Sequence, residues 1–158
     1  MYFWGKAPLP MRNSLLALAL VANAFLGTPS ASAADDDIIF RAVISDEDQS
    51  IPTESMGKGM AEVRLERATL KLSWKVTFQD LTSPPTIAGL YGPENVGGNA
   101  GQVVDLAPNG VIKSPLEGSA ILSDGVFQYL ITGRVYVNIH TTKYKDGELR
   151  GQLRRARK

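Results

Sequence analysis

Between Leu70 and Phe78 every second residue is apolar: Leu70, Leu72, Trp74, Val76 and Phe78 alternate with Lys71, Ser73, Lys75 and Thr77. A period of two is what a strand shows when one face meets a core and the other meets water. Just upstream, Ala61, Val63 and Leu65 alternate with Glu62, Arg64 and Glu66. The short connection around Arg67 and Ala68 makes these two runs an antiparallel hairpin. Trp74 sits in the apolar register, so it is expected in the core rather than as a platform for a ligand.

The rest of the chain repeats this grammar in shorter phrases. Ile38 to Ile44 reads as an opening strand, and Asp46 to Pro52 as a polar loop stopped by proline. Thr86 to Tyr91, Val103 to Leu106, Val111–Ile112 and Leu116 to Leu122 read as further strands. Gly92 to Gly101 is glycine-rich and must be a loop; without a following Gly-Lys-Ser/Thr it is not a phosphate loop. One short helix is expected after Ser123, with Asp124 as its N-cap, Val126, Phe127, Leu130 and Ile131 at helical spacing, and Gly133 as its stop. Many short strands and a single helix predict an all-β fold, a Greek-key sandwich or barrel.

The first 33 residues read differently. Lys6 and Arg12 precede an apolar run from Ser14 to Leu26, and Ala31-Ser32-Ala33 offers a small-residue cleavage pattern. This is the grammar of a secretory signal peptide, and the run is shorter than the roughly 20 residues of a membrane-spanning helix. Residues 1–33 are therefore expected to be removed, leaving one β domain over 34–153 and a basic tail over 154–158. No transmembrane segment is expected after that removal, and the mature chain is expected in the periplasm or outside the cell. The formal charge of +1 falls to −1 once Lys6 and Arg12 leave, which argues against general nucleic-acid binding. The acidic start at Asp35 to Asp37 and the basic end at Arg154 to Lys158 read as solvated, frayed termini, with contact to anionic envelope material as the sharper alternative for the tail. With no cysteine, thiol catalysis, thiolate metal sites and stabilising disulfides are all excluded.

The last two strands carry the candidate functional residues. In Tyr136-Val137-Asn138-Ile139-His140-Thr141, the residues Val137 and Ile139 share a face, as do Leu149 and Leu153 in Gly147-Glu148-Leu149-Arg150-Gly151-Gln152-Leu153. Alternation then places Tyr136, Asn138, His140, Glu148, Arg150 and Gln152 on the opposite, outer face. Keeping the apolar sets together sets Tyr136 opposite Gln152, Asn138 opposite Arg150 and His140 opposite Glu148. Such a ladder of polar pairs can serve as a binding face, or can simply stabilise and solubilise a terminal hairpin.

Three separated patches also resemble the chordin (CHRD) domain family. They are Gln49-Ser50-Ile51-Pro52; Ala88-Gly89-Leu90-Tyr91-Gly92-Pro93 with Gly101-Gln102-Val103-Val104-Asp105-Leu106; and Gly133 to Thr141 through Tyr144 to Gly147–Leu153. The resemblance implies an exported β-sandwich of immunoglobulin-like or superoxide-dismutase-like kind that acts as a binding or structural module. It also implies two histidines where this chain has Gly89 and Tyr91. With His140 those would resemble the layout of a dismutase copper site, so this chain, with one histidine in all, departs at the two positions that matter.

The functional expectation is a non-catalytic exported module that binds an unidentified protein or envelope partner, with no cofactor and no metal assigned. No Ser-His-Asp set or pair of carboxylates stands out as catalytic machinery. The alternative is a metal-binding or dismutase-like redox protein in which His140 is joined by Glu148, Asp105 or Tyr91.

Overall fold

The computed structural model describes Met1, Gly5 and residues 37–157, so the expected signal peptide otherwise lies outside the described residues. Among the described residues nine strands and one helix follow in order. They are β1 (Ile38–Ile44), β2 (Lys58–Glu66), β3 (Lys71–Gln79), β4 (Pro85–Tyr91), β5 (Gln102–Asp105), β6 (Leu116–Ile121), α1 (Asp124–Ile131), β7 (Tyr136–Thr141), β8 (Leu149–Gln152) and β9 (Arg154–Arg155). They form two separate antiparallel sheets, β6-β3-β2-β1-β9 and β5-β4-β7-β8. The fold is therefore a β-sandwich, and among the described residues no helix is long and apolar enough to cross a membrane.

The alternation that predicted the β2–β3 hairpin is what fills the sandwich. Val63 pairs with Trp74 and Leu65 with Leu72 across the hairpin, and all four side chains are buried. Phe40 and Ile44 join them from β1, while Leu90, Val137, Ile139 and Leu149 come from the second sheet. Each such side chain withdrawn from water contributes roughly 1.5–3 kcal/mol, the term that replaces disulfides in a cysteine-free domain. On the outer face Arg41 meets Glu62 at 2.8 Å and Lys75 meets Glu117 at 3.0 Å. Trp74 is in the core, as its register required.

Four local expectations are corrected. Leu70 does not begin β3: it sits in the tight turn at φ +54 and still packs against the core. Val111 and Ile112 form no strand, because the Asn109-Gly110 turn and Pro115 leave no paired backbone between them. Helix α1 is capped by Ser123, whose Oγ accepts the Val126 N–H at 3.4 Å; Asp124 is the first helical residue, where its charge still favours the helix start. The basic end does not fray at Arg154 and Arg155, which extend the first sheet beside Arg41 and Phe40. Gly133 behaves as expected. At φ +73 it ends the helix, its N–H bonding Leu130 O and that of Arg134 bonding Tyr129 O.

The two sheets touch through backbone at one corner. Ser45, just beyond β1, exchanges both of its hydrogen bonds with Arg150 of β8, at 3.0 and 2.7 Å. Gly151 permits this approach, since a Cβ there would fall 2.2 Å from the Val43 carbonyl oxygen. This seam brings the loop after β1 over the polar face of β7 and β8.

Candidate functional site: a buried polar layer under two loops

The β7–β8 register is the predicted one over most of its length: Tyr136 faces Gln152, Asn138 faces Arg150, and Ile139 faces Leu149. The structure thus brings Tyr136, Asn138, Arg150 and Gln152 together as neighbours on one sheet face, with His140 at its end. That face is not open to solvent. All six candidate residues are buried, from Glu148 and Arg150 at 0 % exposure to His140 at 9 %. The picture of a solvated outer face is corrected, and its physical reason is that two loops lie on top of it.

Polar side chains spend their hydrogen bonds holding those loops. Gln49 Nε2 donates to Asn138 Oδ1 at 2.9 Å. The Ala100 N–H donates to the Tyr136 hydroxyl at 3.0 Å, and Arg150 donates to Asn95 O at 3.0 Å. Gln152 Nε2 donates to both Glu94 O and Gly133 O at 2.9 Å. The two loops also meet each other, where Ser50 Oγ donates to Asn99 Oδ1 at 3.1 Å. Backbone groups that would otherwise be stranded over a sheet are satisfied from beneath, as buried loop backbone requires.

Within the layer the rings and the guanidinium form a column. The Arg150 guanidinium carbon lies 3.6 Å above the centre of the Tyr136 ring, which stacks on Tyr91 at 5.5 Å, which in turn stacks on His140 at 5.4 Å. Burial lowers the Arg150 pKa, opposed by Tyr136, Asp48 and Glu94. Tyr91 is pushed up to about 12, chiefly by burial and then by Tyr136 and Asp105. Three buried polar atoms of the layer, His140 Nε2, Arg150 Nε and Gln152 Oε1, have no partner among the described residues.

The expected His140–Glu148 pair is not formed. His140 Nδ1 lies 2.6 Å from Lys145 O, in the loop that joins the strands. The Glu148 carboxylate turns instead to the turn residues around it. It accepts the Ser55 hydroxyl at 2.7 Å, the Thr82 N–H at 2.7 Å, the Thr82 hydroxyl at 3.0 Å and the Thr141 hydroxyl at 2.7 Å. Burial alone would raise its pKa, but the bonds from Thr82, Ser55 and Thr141 outweigh it and hold the carboxyl below its ordinary 4.5. Gln49, Thr53, Ser55, Thr82 and Tyr144 were not legible as parts of this site. Thr53 donates its hydroxyl to Glu148 O and Tyr144 donates its hydroxyl to Thr53 O; the five residues' contacts cross from 66 to 95 residues of sequence, and only Gln49 and Tyr144 lie in stretches that the family resemblance singles out.

The positions where a dismutase-like copper site would need histidines are on this face. Gly89 pairs with Asn138 and Tyr91 with Tyr136, while His140 pairs with Ile87. Gln102 lies across Gly89, its Nε2 2.7 Å from where a Cβ would stand. Neither position supplies an imidazole, and among the described residues no three His, Asp or Glu side chains gather as metal ligands. Glu148 is committed to hydroxyls, and Asp105 accepts the Ala107 N–H at 2.8 Å. The donor set does not fit such a centre.

The family comparison agrees with this geometry in extent: a family model described as CHRD domain matches residues 40–153, from the middle of β1 to the end of the closing hairpin. The chain belongs to the CHRD domain family. No curated protein and no solved structure matches it. The matched stretch of this CHRD domain contains both covering loops and every residue of the polar layer.

Proposed function

We propose that this CHRD domain is an exported, non-catalytic binding module whose contact surface is the outer side of the two loops over the buried layer. The observation that carries the reading is the direction of the hydrogen bonds: Tyr136, Asn138, Arg150 and Gln152 all reach up to loop groups. Loops fixed in this way present their outward residues at low entropic cost to a partner. Ile51, Met56 and Val96 are outward residues of this kind, at 74, 85 and 51 % exposure. Isolated apolar residues on a surface are ordinary, so it is their seating on braced loops that supports a role. A protein partner in the envelope suits such a surface.

What supports the non-catalytic reading is the single histidine: its Nδ1 lies 2.6 Å from the Lys145 carbonyl oxygen, and among the described residues its Nε2 has no hydroxyl partner of the kind an activated nucleophile needs.

The test is affinity capture from the native envelope fraction, followed by titration of the identified protein with Ile51→Asp and Val96→Asp. Both substitutions are expected to weaken binding while leaving the urea midpoint unchanged, since exposed sites shift stability by no more than about 0.5 kcal/mol. Binding untouched by either would overturn the loop surface. N-terminal sequencing of the mature protein beginning at Ala34 would bear on export, and an uncleaved chain in the cytoplasm would contradict it.

A further inference from the structure

The edge formed by β1 and β9 holds a feature independent of the loops. Arg155 pairs with Phe40, and Ala156 N–H bonds Ile39 O at 2.8 Å, so the basic end is held as backbone on the sheet. A cleft of about 190 Å³ opens there, and among the described residues Arg41, Arg155 and Arg157 line it with a single carboxylate, Asp37. Asp37 is already taken by Arg64 at 2.5 Å, and Arg41 by Glu62 at 2.8 Å. Among the described residues Arg155 and Arg157 form no ion pair, and both are exposed.

A cleft of this size is smaller than the roughly 300–1,000 Å³ of small-molecule pockets, but it has room for a single compact group. Among the described residues its surplus is positive, and guanidinium forks match the oxygens of a phosphate in a way that a point charge does not. We propose that this cleft binds a phosphate group. Arg155 and Arg157 supply the charge, and Arg41, ion-paired to Glu62, lines the same cleft. Free phosphate and the phosphodiester of an anionic lipid share this chemistry, and the experiment below separates them. Failure of the loop surface would leave this site standing, because no residue is common to both.

The mature protein is titrated with inorganic phosphate and followed by phosphorus NMR and by the arginine side-chain resonances. Saturable binding that weakens with salt is expected, reduced roughly tenfold in Arg155→Ala and in Arg157→Ala, the loss of one charge-assisted contact. Arg155→Lys is expected to fall between. Arg67→Ala, removing the same charge from the exposed β2–β3 turn, is expected to bind as the parent does. Thermal melts of each variant check that the fold is kept. Vesicles of phosphatidylglycerol that retain the protein and release it on adding phosphate would name the lipid as the source. Phosphate binding without vesicle retention would name free phosphate. No phosphate binding, an equal loss in Arg67→Ala, or vesicle retention that phosphate does not compete would each overturn the site.

Discussion

At the scale of single residues, Glu148 is the most consequential side chain in the domain. A carboxylate at 0 % exposure is tolerable only because four donors converge on it, from Ser55, Thr82 and Thr141. Glu148→Gln keeps the shape but sets an amide N–H₂ against hydroxyls that had been donating. The expected cost is about 2 kcal/mol, read as a lower urea midpoint at neutral pH with an unchanged slope. The sign of the pH effect follows from the depressed pKa. The folded state holds the proton less tightly than the unfolded state, so this stability is present above the ordinary 4.5 and is lost as pH falls through the folded value below it. Urea midpoints measured across that acid range are expected to fall in the parent protein and to fall less steeply in Glu148→Gln. Parallel profiles would show that the carboxylate is not charged in the fold.

At the scale of elements, two contacts decide how strands and helix meet. The seam at Ser45 and Arg150 needs a residue without a side chain beside it, because Gly151 stands against the Val43 carbonyl. Gly151→Ala is expected to cost about 2–3 kcal/mol, as backbone cannot yield the way a flexible side chain can. A thermal midpoint within a degree of the parent would refute the tight seam. Helix α1 offers a cleaner contrast, because the cap is Ser123 and the neighbouring Asp124, equally suited by residue type, is the first helical residue. Ser123→Ala is expected to cost about 1 kcal/mol, whereas Asp124→Asn should lose only a few tenths from the helix dipole. The opposite ranking in chemical denaturation would return the cap to Asp124.

At the scale of the whole molecule, the strands were legible and the site was half legible, for one physical reason. Strand pairing and core packing leave a period-two imprint on neighbouring residues, so β1, the β2–β3 hairpin and the β7–β8 register could be read directly. Leu70 shows the limit of that imprint: an apolar residue in phase with the strand is in the turn because its backbone bends there. The polar face of β7 and β8 looked identical to a solvated one, since alternation says which face a side chain takes and nothing of what lies above it. Gln49 and Ser50 from one loop, and Glu94, Asn95, Asn99 and Ala100 from another, arrive from far along the chain and carry no local period. Glu148 left the predicted ladder because Thr82 and Ser55, invisible as neighbours in sequence, offered its carboxylate better donors than His140 could.

The closing hairpin's polar face is an interior layer bracing two loops. The most direct test is amide hydrogen exchange in the parent protein and in Tyr136→Phe, which keeps the ring stacked between Arg150 and Tyr91 but removes the hydroxyl that accepts the Ala100 N–H. A protected Ala100 amide is expected in the parent, with selective loss of that protection in Tyr136→Phe while the amides of β3 and β7 stay protected. An Ala100 amide that exchanges freely in the parent, or that stays equally protected in the variant, would contradict that bracing.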